Sequence, residues 1–278
     1  MQITIPVSQE LALKVVDQPK DGMDYPTSRL QKGLVMIHHG QDLAEEAVGF
    51  GLPMVKRGNQ AFFPGNVELD LVRRNSIWVV TALYTINLVE KVIRPGRASV
   101  TNQWLYAAKN SMAAFIRQFP PARGALTALS SGLRRLFGWE TTYEQAAFST
   151  QVKMTYTFDE ERGVLAIEAD FTALLQDKVT EAIVMNEQGA HAFDQYRDSS
   201  GNSFSGKEIG CWDEVSAEEA SFASSAHRVA FTLPRVAGAS LFRGRELIGS
   251  RLAWAGFGYT IPPTARVFRY TVKLEKLP

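Results

Sequence analysis

The densest set of side chains able to do chemistry together runs from Asn186 to Ser200, NEQGAHAFDQYRDSS. It places His191, Asp194, Tyr196, Arg197 and Asp198 close together, directly after an apolar run, Glu181–Met185, that reads as a strand. A histidine and two carboxylates can give and take protons, and an arginine can fix an anionic group through paired N–H donors. These five are candidate ligand-binding residues, with Arg57 as a further anion clamp. If 191–197 is extended, His191, Phe193, Gln195 and Arg197 share one face, while Asp194, Tyr196 and Asp198 share the other. That arrangement parts the histidine from the carboxylates. The plainer reading is a solvated loop braced by an Arg–Asp pair and by Asp side-chain turns, and the sequence favours it. Catalytic residues therefore stay unassigned.

Trp212 is the tryptophan best placed for a ligand, because Asp213 and Glu214 follow it directly. An indole face beside carboxylates suits a saccharide, although most tryptophans serve the core. Trp78, Trp104, Trp139 and Trp254 are scattered through the chain.

Two other patterns fall short. Gly201-Asn-Ser-Phe-Ser-Gly206-Lys207 has the glycine and lysine spacing of a phosphate loop, but Glu208 stands where a Ser or Thr must hold magnesium. His38-His39-Gly40 precedes Glu45 and Glu46. In a strand the two rings would point to opposite faces, so regular geometry does not let both hold one metal. His191 and His227 complete the histidines, and only tertiary folding could bring three of them together. Neither an HExxH nor a paired CxxC spacing occurs, and Cys211 is the single cysteine. The sequence thus leads us to expect no metal and no cofactor.

Charge is unevenly spread. From Lys91 to Trp139 there are 8 Lys or Arg and no Asp or Glu, whereas the whole chain has a net charge of +1. Such a field attracts anions. Trp104, Ala108, Met112, Phe115 and Phe119 fall at helical spacing up to Pro120 and Pro121. Leu126, Leu129, Leu133, Leu136 and Phe137 form a second stripe before Gly138. The pattern predicts a helical hairpin within about 101–138, with helices over 101–119 and 124–137. The first reading of its stripes is packing on a core. The alternative is a docking surface in which Arg117, Arg134 and Arg135 meet an anionic membrane or an acidic partner. Nucleic acid is disfavoured, since no reading motif accompanies the basic segment.

The remaining pattern is β. Val152, Met154, Tyr156 and Phe158 alternate, DEERG (159–163) turns, and Leu165, Ile167, Ala169 and Phe171 alternate on the return. Further strands are expected at 1–7, 33–38, 60–64, 67–72, 77–89, 228–233, 252–260 and 266–274, with a polar loop at 194–206. Pro64-Gly65 is expected to separate two of them by a turn. The resulting expectation is a mainly β chain, a large β-sandwich of one domain carrying the helical hairpin. At 278 residues, 45% hydrophobic and 21% charged, the chain can bury a sizeable core. No signal peptide or membrane-spanning run is evident, so a cytoplasmic protein is expected. The first functional expectation is a non-catalytic binding protein for a saccharide or anionic ligand. The alternatives are a carbohydrate-active hydrolase, lyase or epimerase, and a docking protein that uses the hairpin. Oligomeric state is left open.

Overall fold

The structure, a computed structural model, describes residues 2–16, 30–44, 47–93, 140–176, 178–248, 252–262 and 264–277. The first strands are β1 (Gln2–Pro6), β2 (Leu11–Val16), β3 (Val35–His38) and β4 (Gln41–Asp42). They form a 4-stranded sheet in sequence order. There follow β5 (Gly49–Arg57), β6 (Gln60–Arg74), β7 (Ile77–Ile93), β8 (Glu140–Asp159), β9 (Val164–Asp170), β10 (Glu181–Gln188) and β11 (Gln195–Asp198). The last are β12 (Ser203–Ser205), β13 (Cys211–Glu214), β14 (Glu219–Ser224), β15 (Val229–Pro234), β16 (Ser240–Ile248), β17 (Leu252–Ile261) and β18 (Val267–Lys276). These join in a 14-stranded sheet ordered β12-β11-β14-β15-β18-β9-β8-β7-β6-β5-β10-β17-β16-β13. Its pairings are antiparallel.

Alternation explains the strands. In β8, Val152, Met154, Tyr156 and Phe158 are fully buried while Gln151 and Lys153 are exposed. β18 repeats the pattern through Phe268, Tyr270, Val272 and Leu274. Period two with one apolar face makes a sheet that must cover that face. The large sheet does so by folding back on itself. Phe231 on β15 meets Phe50 on β5 at 5.1 Å and Phe257 on β17 at 6.0 Å between ring centroids, although these strands lie far apart in the sheet order. The Tyr270 hydroxyl on β18 donates to Asn186 Oδ1 on β10 at 2.7 Å. The Tyr156 hydroxyl on β8 donates to the Gly51 carbonyl on β5 at 2.8 Å. Two packed β layers result, with aromatic rings and satisfied phenols between them.

The mainly β expectation therefore matches the chain. The helical hairpin expected at 101–138, with Arg117, Arg134 and Arg135, lies outside the described residues. Those described contain short 3-10 turns and no α-helix. Two local expectations are corrected. Pro64-Gly65 is no turn between strands but a bulge inside β6, where the register against β7 shifts on either side of Pro64. Proline cannot donate to the ladder, and a bulge is where a strand tolerates it. A side chain at Gly65 would come within 2.4 Å of Asn87 Oδ1, which accounts for the glycine. The polar loop at 194–206 is instead the hairpin β11–β12, in which Tyr196 pairs with Phe204.

The small sheet docks where β5 begins. Leu34 bridges Phe50 through reciprocal backbone hydrogen bonds of 2.9 and 2.7 Å. Gln188 accepts from Met36 N at 3.1 Å and donates to the Leu34 carbonyl at 3.3 Å. A buried amide with both ends bonded fixes the register between the two sheets.

Candidate functional site

The sequence-expected cluster folds into a brace. Tyr196 is fully buried, and its hydroxyl donates to Asp198 Oδ2 at 2.9 Å. Asp198 also accepts from the backbone N–H groups of Ser200 and Asn202 and from Asn202 Nδ2. Burial alone would raise its carboxyl, but these donors outweigh it and hold it below the usual carboxylate range. Burial first, then the Asp198 contact, pushes the Tyr196 phenol up to about 12. The Arg243 guanidinium lies over the Tyr196 ring at 4.4 Å and the Phe204 ring at 4.6 Å. Arg245 donates to the carbonyls of Ala190 and Phe193, gripping the segment that carries exposed His191. Arg197 is exposed, and Asp194 accepts from Gly206 N through its backbone carbonyl. Of the expected bracing, the Asp side-chain turn is present at Asp198, while the arginines that pack on the segment are Arg243 and Arg245, through ring faces and backbone carbonyls. Arg57 does not join the cluster. It sits at the β5–β6 turn over the Phe148 ring at 4.4 Å, beside the start of β10. The 191–198 segment follows the end of β10, seven residue steps and roughly 23 Å further on.

Trp212 leads elsewhere. It occupies a bulge where β13 loses register with β16, and its φ of 58° is in the left-handed region. A bulky residue held there needs surrounding structure to enforce it. That conformation lays the indole across β16 onto β17. A side chain at Gly258 would come within 2.7 Å of Trp212 Cζ3, and one at Gly244 within 2.6 Å of Trp254 Cη2. The two indoles stack at 5.1 Å with 28° between their planes. Both rings therefore need positions with no side chains, a track that Gly244 and Gly258 provide, while Gly256, opposite Gly244, leaves the face bare between them and lets the backbone of β10 approach. Trp254 is largely buried; Trp212 is partly exposed.

Strand register adds two carboxylates to this face. Glu187 on β10 stands opposite Gly256, which stands opposite Gly244, while Glu246 on β16 stands opposite Trp254. Directly paired residues share a face, so Glu187, Trp254 and Glu246 point to the same side as the glycine track. Asn186, between Met185 and Glu187, points the other way and bonds Gly51 N and Tyr270. Glu187 is 4% exposed. Burial raises its carboxyl, the Val48 N–H opposes this, the Glu246 charge adds to it, and Lys32 opposes it again. The balance is a pKa of about 8. The group is consequently a neutral acid at pH 7, able to donate a proton or a hydrogen bond. An aromatic plane, a protonated acid and a second carboxylate on one face can stack the C–H side of a sugar ring and bond its hydroxyls.

Sequence reasoning found Trp212 but missed Glu187, Glu246 and Trp254. A signal was there. In LAWAGFGYTI, Trp254, Gly256 and Gly258 alternate, which in a strand strips one face of side chains beside an aromatic. Glu187 sat in the polar run and read as loop, whereas it belongs to the buried strand β10.

The histidine expectation also needs correction. His39 does not continue β3; its φ of 49° turns the chain, and its ring returns to within 4.3 Å of His38. His227, from the β14–β15 turn, comes within 5.4 Å of His38.

No protein-family model matches the chain, and no curated protein matches its sequence. Among solved structures, 99% of the chain aligns with 35% of an alpha-N-acetylgalactosaminidase from Bifidobacterium bifidum in complex with GalNAc, at 11% identity and a TM-score of 0.46. An alpha-mannosidase from Enterococcus faecalis aligns over 100% of this chain and 30% of its own, at 10% identity and a TM-score of 0.43. A galactose mutarotase-like protein from Lactobacillus casei aligns over 99% of both chains, at 10% identity and a TM-score of 0.37. The chain spans about a third of the length of the first two. No residue role is carried across from any of them.

Proposed function

We propose that this chain binds a saccharide on the face formed by β10, β17, β16 and β13, with Trp212 as the stacking platform and Glu187 and Glu246 as hydroxyl partners. The observation that carries the reading is the Trp212 bulge. A left-handed tryptophan held over a glycine track gives the sheet nothing that a smaller residue could not give more cheaply, but it presents a flat apolar plane beside two carboxylates. Titration with a panel of neutral and acidic mono- and oligosaccharides, followed by tryptophan fluorescence and calorimetry, tests it. A specific sugar should bind, and Trp212→Ala should weaken binding at least about 10-fold, roughly 1.4 kcal/mol. Silence across the panel at millimolar sugar would overturn the reading.

One observation favours a second reading, a carbohydrate-active enzyme. Glu187 is a carboxylic acid kept neutral at pH 7 near a second carboxylate, the pairing in which one group serves as acid and the other as base or nucleophile. Turnover of a bound sugar or its glycosides that disappears in Glu187→Gln at sugar concentrations that saturate the variant supports the enzyme. Binding without turnover in the wild type supports the binding protein.

A further inference from the structure

Three of the chain's 4 histidines meet at one point, far from the tryptophan face in sequence. They arrive from separate segments. Glu10 lies in the turn between β1 and β2, His38 ends β3, His39 opens the next turn, and His227 lies in the turn between β14 and β15. The donor atoms of Glu10, His38 and His39 all lie within 4.8 Å of one another. Glu10 Oε1 faces His39 Nε2 at 3.9 Å, while Glu10 Oε2 is held by Lys276 at the end of β18.

The backbone prepares this meeting. His39 N donates to the Glu10 carbonyl at 2.8 Å, which ties the two turns together. His227 N donates to Ser224 Oγ at 3.2 Å, which shapes the third turn. His39 and Arg228, next to His227, both adopt positive φ, at 49° and 53°. Non-glycine residues rarely do so, and two turns carrying such residues aim imidazoles at the same place. Edge-to-face packing of rings explains the imidazole contacts alone. It does not explain a carboxylate among them with one oxygen turned to the histidines and the other neutralised by a lysine.

We infer that Glu10, His38 and His39, with His227 within reach as a further ligand, bind a divalent first-row transition ion, zinc(II) foremost. Imidazole nitrogen with one carboxylate is a donor set that suits zinc, copper and nickel and not magnesium or calcium, which take oxygen ligands. Tetrahedral zinc, with bonds of about 2.0–2.2 Å, sets its donors about 3.3 Å apart. The present spacing closes to that by rotamer changes, because the side chains of His39 and Glu10 are 62% and 36% exposed. A bound ion would staple the small sheet to the β14–β15 hairpin of the large one and would stabilise the folded chain by mass action.

The test uses the full chain without a histidine tag, stripped with chelator, titrated with zinc by calorimetry and followed by thermal melting. One zinc per chain and a raised midpoint are expected, with magnesium and calcium giving neither. His38→Ala and His39→Ala should each weaken zinc binding at least about 10-fold, while His191→Ala leaves it unchanged. Exposure of the His39 side chain lets that variant fold, shown by an unshifted melt without metal. Lys276→Met removes a competing cation and should tighten binding. Absence of stoichiometric binding in the micromolar range, or equal zinc affinity in wild type and both histidine variants, would overturn the inference.

Discussion

Glu187 makes the stability of this fold depend on pH in a direction opposite to that of most carboxylates. Its ordinary pKa is 4.5, and burial carries it to about 8 in the folded chain. Between those values the folded state holds a proton that the unfolded state has released. Stability then falls as pH rises, with a slope approaching about 1.4 kcal/mol per pH unit. The contribution is fully present below the unfolded value and is lost as pH passes through the folded one. Integrated from pH 5 to pH 8, the loss from this one group is about 3.5 kcal/mol, a large share of a typical domain's stability. Glu246 and Lys32 are the charged groups that act on it: the first steepens the loss and the second eases it. Glu187→Gln keeps the shape and an oxygen to accept from Val48 N but cannot ionise. Urea unfolding of wild type and variant at pH 5, 6, 7 and 8 isolates the term, because other titrating groups cancel in the difference. The two proteins should be of similar stability at pH 5, and the variant should gain steadily up to pH 8. Curves that stay parallel across this range would show that Glu187 is solvated or already ionised, and the acid role on the tryptophan face would fall with it.

Three further substitutions separate packing from function. Gly256→Ala would set its Cβ 2.1 Å from the Asn186 carbonyl oxygen, a backbone atom that cannot swing away; a loss above about 3 kcal/mol in denaturant unfolding is expected. Tyr156→Phe removes the donor to the buried Gly51 carbonyl and the 3.2 Å contact with the Tyr84 hydroxyl, so a loss of about 1–3 kcal/mol should appear in the same assay. Asp198→Ala takes the shared acceptor from Ser200, Asn202 and Tyr196; about 1–3 kcal/mol of stability should go, with sugar binding unchanged in calorimetry at a temperature where the variant is folded.

Strand periodicity was legible where long alternating runs bury one face and wet the other, whereas the short alternating strands Leu11–Val16 and Glu219–Ser224 were not expected. Val152–Phe158 and Leu165–Phe171 gave their hairpin directly, because each apolar side chain at spacing two lies in the core. The reading failed where a local signal had two structural meanings. Pro64-Gly65 marks turns and bulges alike, and the choice was made by the partner strand β7, which no local window contains. The same holds for 194–206, whose Gly, Ser and Asn content suits a loop but also the short hairpin that Phe222 and Arg243 pin down. For the site, residue types identified Trp212, whereas its partners depend on register. Glu187 and Glu246 are 59 positions apart and come to share a face only through β17. His38 and His39 show the converse limit. Alternation would part them, and one positive φ reunites them.

One strand, β10, holds structure and candidate chemistry on opposite faces, and this decides how the two can be tested apart. Asn186 and Gln188 point into the molecule, where each is bonded at both ends, to Gly51 N, Tyr270 and the Val184 carbonyl in one case and to Met36 N and the Leu34 carbonyl in the other. Glu187 points to the glycine track, where it accepts from the Val48 N–H and carries a pKa displaced upward by burial. A buried carboxyl that the fold tolerates only in its protonated form costs stability as pH rises, which neither neutral amide beside it does. The asymmetry along three consecutive residues is the physical reason to look for a ligand on the Glu187 side. Substitution at Asn186 or Gln188 should therefore reduce stability at every pH, whereas substitution at Glu187 should raise stability at alkaline pH and weaken sugar binding. A residue whose removal strengthens the fold and weakens the ligand is one kept for the ligand.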